Sequence, residues 1–247
     1  MIKELLYKLA AIPHLELDLE FDNQKMIDEF HAVGQERFNQ YQTIYPLVDH
    51  IYKRSWYGVS LLSPDGSLYN DLKEGDAICD TMDGQYFKTE IAKLCPTMLD
   101  CVYQLGGGNA RARIMQITPH GQLAWHSHII DNGQPVYALT VHVPIITPPN
   151  FRFSVISAED FRTSDIENNP LKVYTKCYPV GKATVFNSLH YHNVFNDSDD
   201  QIRTSLMIYL DLRRPRVQEL IARAIDNYKG ELIPISNVER YAKIIGM

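Results

Sequence analysis

Six of the nine histidines in this chain, His120, His126, His128, His142, His190 and His192, fall between positions 110 and 212. Two pairs of them stand two residues apart. In an extended strand residues i and i+2 point to the same side, so WHSH at 125–128 can aim His126 and His128 at one point. HYH at 190–192 can do the same with His190 and His192. Neutral imidazole is a ligand for divalent iron, copper, nickel or zinc. An isolated HxH is explained equally well by half-buried strand residues with no ligand, so a second feature is needed. Alternation along IRTSLMIYLDL at 202–212 supplies it, with Arg203, Ser205, Met207, Tyr209 and Asp211 on one face. A guanidinium with a hydroxyl beside it is a seat for the distal carboxylate of a small diacid.

The elements that must position these groups are strands. From Ala110 onward the runs ARARIMQITPHG, WHSHII, PVYALTVHVPII, NFRFSVIS, LKVYTKCY, KATVFN and IRTSLMIYLDL are short and β-rich. Turn signals separate them, among them Pro119-His120-Gly121, Asp131-Asn132-Gly133, Pro148-Pro149-Asn150 and Pro179-Val180-Gly181. Seven strands so spaced predict a β core of about residues 110–212, of sandwich or jelly-roll type. Helical spacing predicts a helix at 24–34, two helices at 86–105 divided by Pro96, and two more in VQELIARAIDNYKG and SNVERYAKIIG. The expected organisation is one domain, 1–247, mainly β with flanking helices. It comprises a helical or mixed part (1–105), the core (106–214) and C-terminal helices (215–247).

Composition narrows the function classes. The chain is 45% hydrophobic with a formal net charge of −6, which gives no global attraction for nucleic acid or an anionic membrane. No apolar stretch reaches the ~20 residues of a membrane helix, and Met1-Ile2-Lys3-Glu4 does not open a signal peptide, so a cytoplasmic protein is expected. Cys79, Cys95, Cys101 and Cys177 form no CxxC and are expected to be reduced. Asn196-Asp197-Ser198 fits a glycosylation sequon that would then be idle. Gly106-Gly107-Gly108 reads as a turn, Arg213-Arg214-Pro215-Arg216 as a solvated element boundary, and Trp125 as a packing residue.

The runs ARIMQITPHGQLAWHSH, YALTVHVPI, ITPPNFRFSV, VGKATVFNSLHYHNVFNDSDD and IRTSLMIYLDL together resemble a known family. It is the aspartyl/asparaginyl β-hydroxylase and proline-hydroxylase branch of the iron(II)/2-oxoglutarate-dependent oxygenases, and the resemblance covers about residues 105–214. It implies a double-stranded β-helix of cupin-like jelly-roll form, with iron(II) and 2-oxoglutarate as cofactors. Oxidative decarboxylation of 2-oxoglutarate with molecular oxygen would be coupled to hydroxylation of an unactivated C–H bond. The substrate it implies is an amino acid, free or within a peptide or protein.

Carried over by motif, His126 is similar to the first iron ligand. His192 is similar to the distal one, being followed by Asn193-Val194-Phe195-Asn196 as the family pattern expects. Arg203 with Ser205 resembles the 2-oxoglutarate carboxylate anchor, and His142 the histidine bordering the cosubstrate. Tyr209 and Asn187 are expected to line the pocket. The departure is His128, where the family's H-x-D has aspartate: His128, Asp131 or water completes the coordination. Asp131 competes with a hairpin-turn role in Asp-Asn-Gly. Two alternatives stand beside this reading, a cupin-like three-histidine enzyme that does not use 2-oxoglutarate and a non-catalytic ligand-binding barrel.

Overall fold

The computed structural model describes residues 2–39, 55–69, 85–126, 137–157, 172–188 and 190–234. In chain order the elements are α1 (Ile2–Ala10), β1 (His14–Glu20), α2 (Asn23–Val33), α3 (Gln35–Asn39), β2 (Trp56–Ser63), β3 (Phe87–Lys88), a 3₁₀ turn (Glu90–Leu94) and α4 (Pro96–Gln104). Then follow β4 (Ala112–Ile117), β5 (Gln122–His126), β6 (Ala138–Ile146), β7 (Phe151–Ile156), β8 (Val173–Lys176), β9 (Lys182–Phe186), β10 (Tyr191–Asn196), β11 (Arg203–Asp211) and α5 (Pro215–Asp226).

The strands form two antiparallel sheets, a large one in the order β1-β9-β6-β11-β4-β2-β3 and a small one in the order β5-β10-β7-β8. From β4 onward the chain steps back and forth between the sheets, pausing only for the β7–β8 pair. The result is two facing sets of four, β9-β6-β11-β4 and β5-β10-β7-β8, which is the double-stranded β-helix expected. The core has eight strands rather than seven, because Tyr191–Asn196 is a strand in its own right. The N-terminal third also gives β1, β2 and β3 to the large sheet. In β1 the alternation of Leu15, Leu17 and Leu19 with Glu16, Asp18 and Glu20 carries that strand signal.

β11 shows why the interior is polar at one end. It is buried along its whole length because both of its faces are covered. Leu206, Ile208 and Leu210 pack with the apolar faces of α1, α2, α4 and α5 in the main core. Met207 and Tyr209 join Ala110, Met115, Ala138 and Trp56 on the face turned toward the small sheet. Alternation then places Arg203 and Ser205 on that inner face too.

The helices follow their local signals. Pro96 opens α4, and the buried Glu29 of α2 accepts from the backbone N–H of Thr97 (2.6 Å) and Met98 (3.0 Å), which caps that helix. Pro215 opens α5 two residues after Arg213, which is tied to Asp211. Val217, Leu220, Ile221 and Ala224 bury one stripe of α5, and the helix stops at Asp226, before the expected Gly230. SNVERYAKIIG and the Asp131-Asn132-Gly133 turn lie outside the described residues.

Two glycine and asparagine positions pin the strands together. Gly181, at φ +73°, sits where an added Cβ would come within 2.8 Å of the Phe21 carbonyl, so the turn into β9 requires glycine. The Asn196 side chain is buried and donates to the carbonyls of Ile117, Thr118 and Gln201, so the sequon asparagine is a structural clamp with no room for a glycan. Among the described residues no helix is long and apolar enough to cross a membrane.

Candidate active site

Strand pairing brings the two selected histidines together. His126 closes β5, His192 is the second residue of β10, and the two are direct cross-strand partners. Their ring centroids lie 4.1 Å apart, tilted by 55°. They are therefore neighbours in the small sheet rather than groups facing each other across the barrel. His192 is 1% exposed, because its strand is central and pairs with β7 on the other side, whereas His126 is half-buried. Nδ1–H of His192 donates to the His190 carbonyl at 3.1 Å. That tautomer carries its lone pair on Nε2. Phe186 (4.8 Å between centroids) and Phe153 (6.4 Å) wall the ring with apolar surface.

Two adjacent imidazoles of this kind can share one divalent cation. Among the described residues no group of three or more His, Cys, Asp or Glu is placed to hold a metal. His128 and Asp131, the residues expected to complete the set, lie outside the described residues. His190 does not share the face of His192, contrary to the simple period-two expectation. It precedes β10 and its Nε2 meets the Ala10 carbonyl at 2.7 Å, while burial pulls its pKa down to about 4. It is a neutral peg holding α1.

The residues expected to seat a carboxylate lie on the facing sheet. Arg203, first residue of β11, is 1% exposed and stacks over Phe151 at 4.8 Å. Nη2 donates to Nδ1 of His142 at 3.3 Å, and the Ser205 hydroxyl lies 3.4 Å from the same nitrogen. Arginine can only donate, so Nδ1 of His142 is the acceptor and its proton sits on Nε2. Among the described residues, Nε of Arg203 has no hydrogen-bond partner. Burial lowers the pKa of the guanidinium to about 9, which leaves it a cation at neutral pH. A buried cation with an unused donor, a hydroxyl and an imidazole beside it can bind one carboxylate.

Residues outside the expected set complete this network. His14 of β1 donates from Nε2 to the Tyr174 carbonyl (3.0 Å) and so accepts at Nδ1 from the Tyr178 hydroxyl (2.8 Å). Tyr178 is fully buried and stacks on Phe153. Nothing local in HLELDLE marks His14, since the pairing of β1 with β9 is what carries it inward. Tyr209 lies on the inner face and receives a 3.4 Å contact from Nη2 of Arg113. The amide of Asn187, expected to line the pocket, clamps the carbonyls of Leu9, Ala10 and Ile12. Trp125, expected to pack, is 38% exposed.

His14 has a measurable consequence. Burial lowers its pKa to about 4 from 6.5, so the folded state resists protonation that the unfolded chain accepts. Its contribution to stability is complete above pH 6.5 and is lost as pH falls toward 4. The loss is on the order of 3 kcal/mol. Denaturant midpoints measured between pH 7 and 4 should fall less steeply in His14→Gln than in the parent, and equal slopes would refute this account.

The family model for aspartyl/asparaginyl β-hydroxylase matches residues 20–215. No curated protein matches the chain by sequence. Among solved structures, HygX from Streptomyces hygroscopicus, with nickel, 2-oxoglutarate and hygromycin B bound, is 12% identical, over 84% of this chain and 86% of that one, at a TM-score of 0.44. An oxidoreductase of the 2OG-Fe(II) oxygenase family from Burkholderia pseudomallei is 14% identical, over 85% and 89% of the two chains, at a TM-score of 0.41. SnoN, a non-heme alpha-ketoglutarate-dependent epimerase from nogalamycin biosynthesis, is 11% identical, over 85% and 82%, at 0.43.

Proposed function

The chain belongs to the aspartyl/asparaginyl β-hydroxylase family, and on that premise we propose that His126 and His192 hold the iron(II) and that Arg203, with Ser205 and His142, holds the 2-oxoglutarate of a hydroxylase. When bound, iron and 2-oxoglutarate activate molecular oxygen, so that one oxygen atom enters a C–H bond of the substrate and the other enters succinate, with release of carbon dioxide. The substrate on this reading is an amino acid, free or within a peptide, and the net charge of −6 suits it better than nucleic acid.

The observation that carries the reading is the pairing of His126 with His192, above an inner face that holds a buried guanidinium with an unused donor. The two imidazoles are neutral donors of the type a divalent metal takes. Arg203 fixes the cosubstrate's far carboxylate while Phe153 and Phe186 keep water from the metal side. The third ligand is His128, Asp131 or water. Free Cys95, Cys101 and Cys177 support a reducing, cytoplasmic setting.

The test is succinate release. With iron(II), 2-oxoglutarate and air, the protein should form succinate slowly, and faster when the right member of a panel of amino acids and short peptides is added. A visible charge-transfer band on anaerobic addition of iron(II) and 2-oxoglutarate would accompany it. Metal uptake without that band or succinate would favour a cupin-like enzyme that dispenses with 2-oxoglutarate, and uptake of neither would favour a binding barrel.

A further inference from the structure

Besides Arg203, the inner face of the large sheet buries two further guanidiniums; Arg113 meets the Tyr209 hydroxyl and the Trp56 ring, and the other, Arg111, is one the cosubstrate does not need. Arg111 directly precedes β4, and its carbonyl accepts from the Tyr209 N–H at 3.0 Å, so it continues the β4–β11 ladder beyond the Ala112–Ile208 pair. Alternation puts it on the face of Arg113, Met115, Tyr209, Ser205 and Arg203. It is 2% exposed, and Nε, Nη1 and Nη2 are all buried with no hydrogen-bond partner among the described residues. The acid nearest along the ladder, Asp211, is held instead by the backbone N, Nε and Nη2 of Arg213. An uncompensated guanidinium in a water-poor interior is strongly unfavourable unless an anion arrives to meet it.

Its position separates it from the Arg203 seat. Arg203 pairs with Ile117 at one end of the inner face and Arg111 lies at the other end, about 20 Å of strand away. The Asn196 end of β10 is tied to Ile117, and His192 lies about 13 Å along β10 from that end. Along the strands the histidine pair thus stands between the two cations, so an anion at Arg111 would lie on the opposite side of the pair from a cosubstrate held by Arg203.

We propose that Arg111 is the seat of a carboxylate carried by the substrate, so that the hydroxylated molecule is a small carboxylic acid bound by its anionic end. This rests on the reading of Arg203 as the 2-oxoglutarate anchor. A planar fork matches a carboxylate edge in two parallel hydrogen bonds. The preferred substrate therefore keeps a free carboxylate, and its amide or ester is a poor replacement.

The test uses the full chain, with nickel(II) and 2-oxoglutarate added so that the Arg203 seat is filled, and acetate as the probe. Acetate should raise the melting temperature of the parent protein, while acetamide, its neutral isostere, should not. In Arg111→Met the acetate Kd should rise at least ~30-fold, and Arg111→Lys, which keeps the charge without the fork, should lie between. Ligand-free Arg111→Met should melt roughly 2–4 °C above the parent, since it removes a buried charge that nothing compensates. An acetate response equal to the parent's in Arg111→Met, no response in the parent, or a lower melting temperature for ligand-free Arg111→Met would each overturn the proposal. Tighter binding of phosphate or sulfate than of acetate would overturn the carboxylate assignment. If 2-oxoglutarate does not bind, acetate titrations of Arg111→Met and Arg203→Met without it still read the two seats separately. Loss of the response in Arg111→Met alone would then sink the cosubstrate reading and leave this seat standing.

Discussion

His192→Ala should abolish iron(II) binding, and with it succinate formation from 2-oxoglutarate. The expectation is this severe because the donor set is small. His192 is the buried member of the pair, central in its sheet, with its tautomer set by the His190 carbonyl and its ring walled by Phe186 and Phe153. Removing it leaves a half-buried His126 and whatever His128, Asp131 or water supplies. A site with one imidazole fewer should lose on the order of 100-fold or more in metal affinity, because changes to groups that only orient a ligand already cost 10–100-fold. Anaerobic equilibrium dialysis with iron(II), or calorimetry with nickel(II) in its place, reads the effect directly. His31→Ala, an exposed histidine on α2, is the control that should bind like the parent. Parent-like metal affinity in His192→Ala would remove the assignment.

The second large effect belongs to Arg203. In Arg203→Met the KM for 2-oxoglutarate should rise between about 30-fold and 1000-fold, the loss expected for a charge-assisted bidentate contact of roughly 2–4 kcal/mol, while iron(II) still binds. The structure distinguishes this from a stability role. Nε of Arg203 is unused, and the Nη2 contact to His142 is long at 3.3 Å, so the side chain gives the ligand-free fold little. The melting temperature of Arg203→Met should therefore stay at or above the parent's. A fall in melting temperature with an unchanged KM would identify Arg203 as a structural residue and leave the cosubstrate without an anchor. Arg203→Lys should recover part of the affinity only, since an ammonium keeps the charge and loses the fork.

Much of this arrangement was legible in the residues taken in order. Period-two alternation is local, so the shared face of Arg203, Ser205 and Tyr209 follows from IRTSLMIYLDL, and the turn residues divide the chain into the strands of a jelly roll. By its resemblance to the family pattern, His192-Asn193-Val194-Phe195-Asn196 also singles out His192 over His190 independently of the strand pairing. What alternation cannot say is which face looks inward, or which strands become neighbours. Those depend on contacts between distant segments, and the same HxH reads alike on a ligand strand and on a half-buried one.

The tertiary structure decided the rest for that reason. Only the β5–β10 register sets His126 beside His192, and only the docking of α1 diverts His190 and Asn187 to its carbonyls. The β1–β9 pairing carries His14 from an unremarkable leucine–acid alternation to the Tyr178 hydroxyl. Arg111 is the sharpest case. Its sequence neighbourhood, ARAR, looks like an ordinary basic strand end, because charge and periodicity are properties of the local chain. Whether a guanidinium meets water, an acid or nothing is a property of everything packed around it, and here the fold buries it with no partner among the described residues.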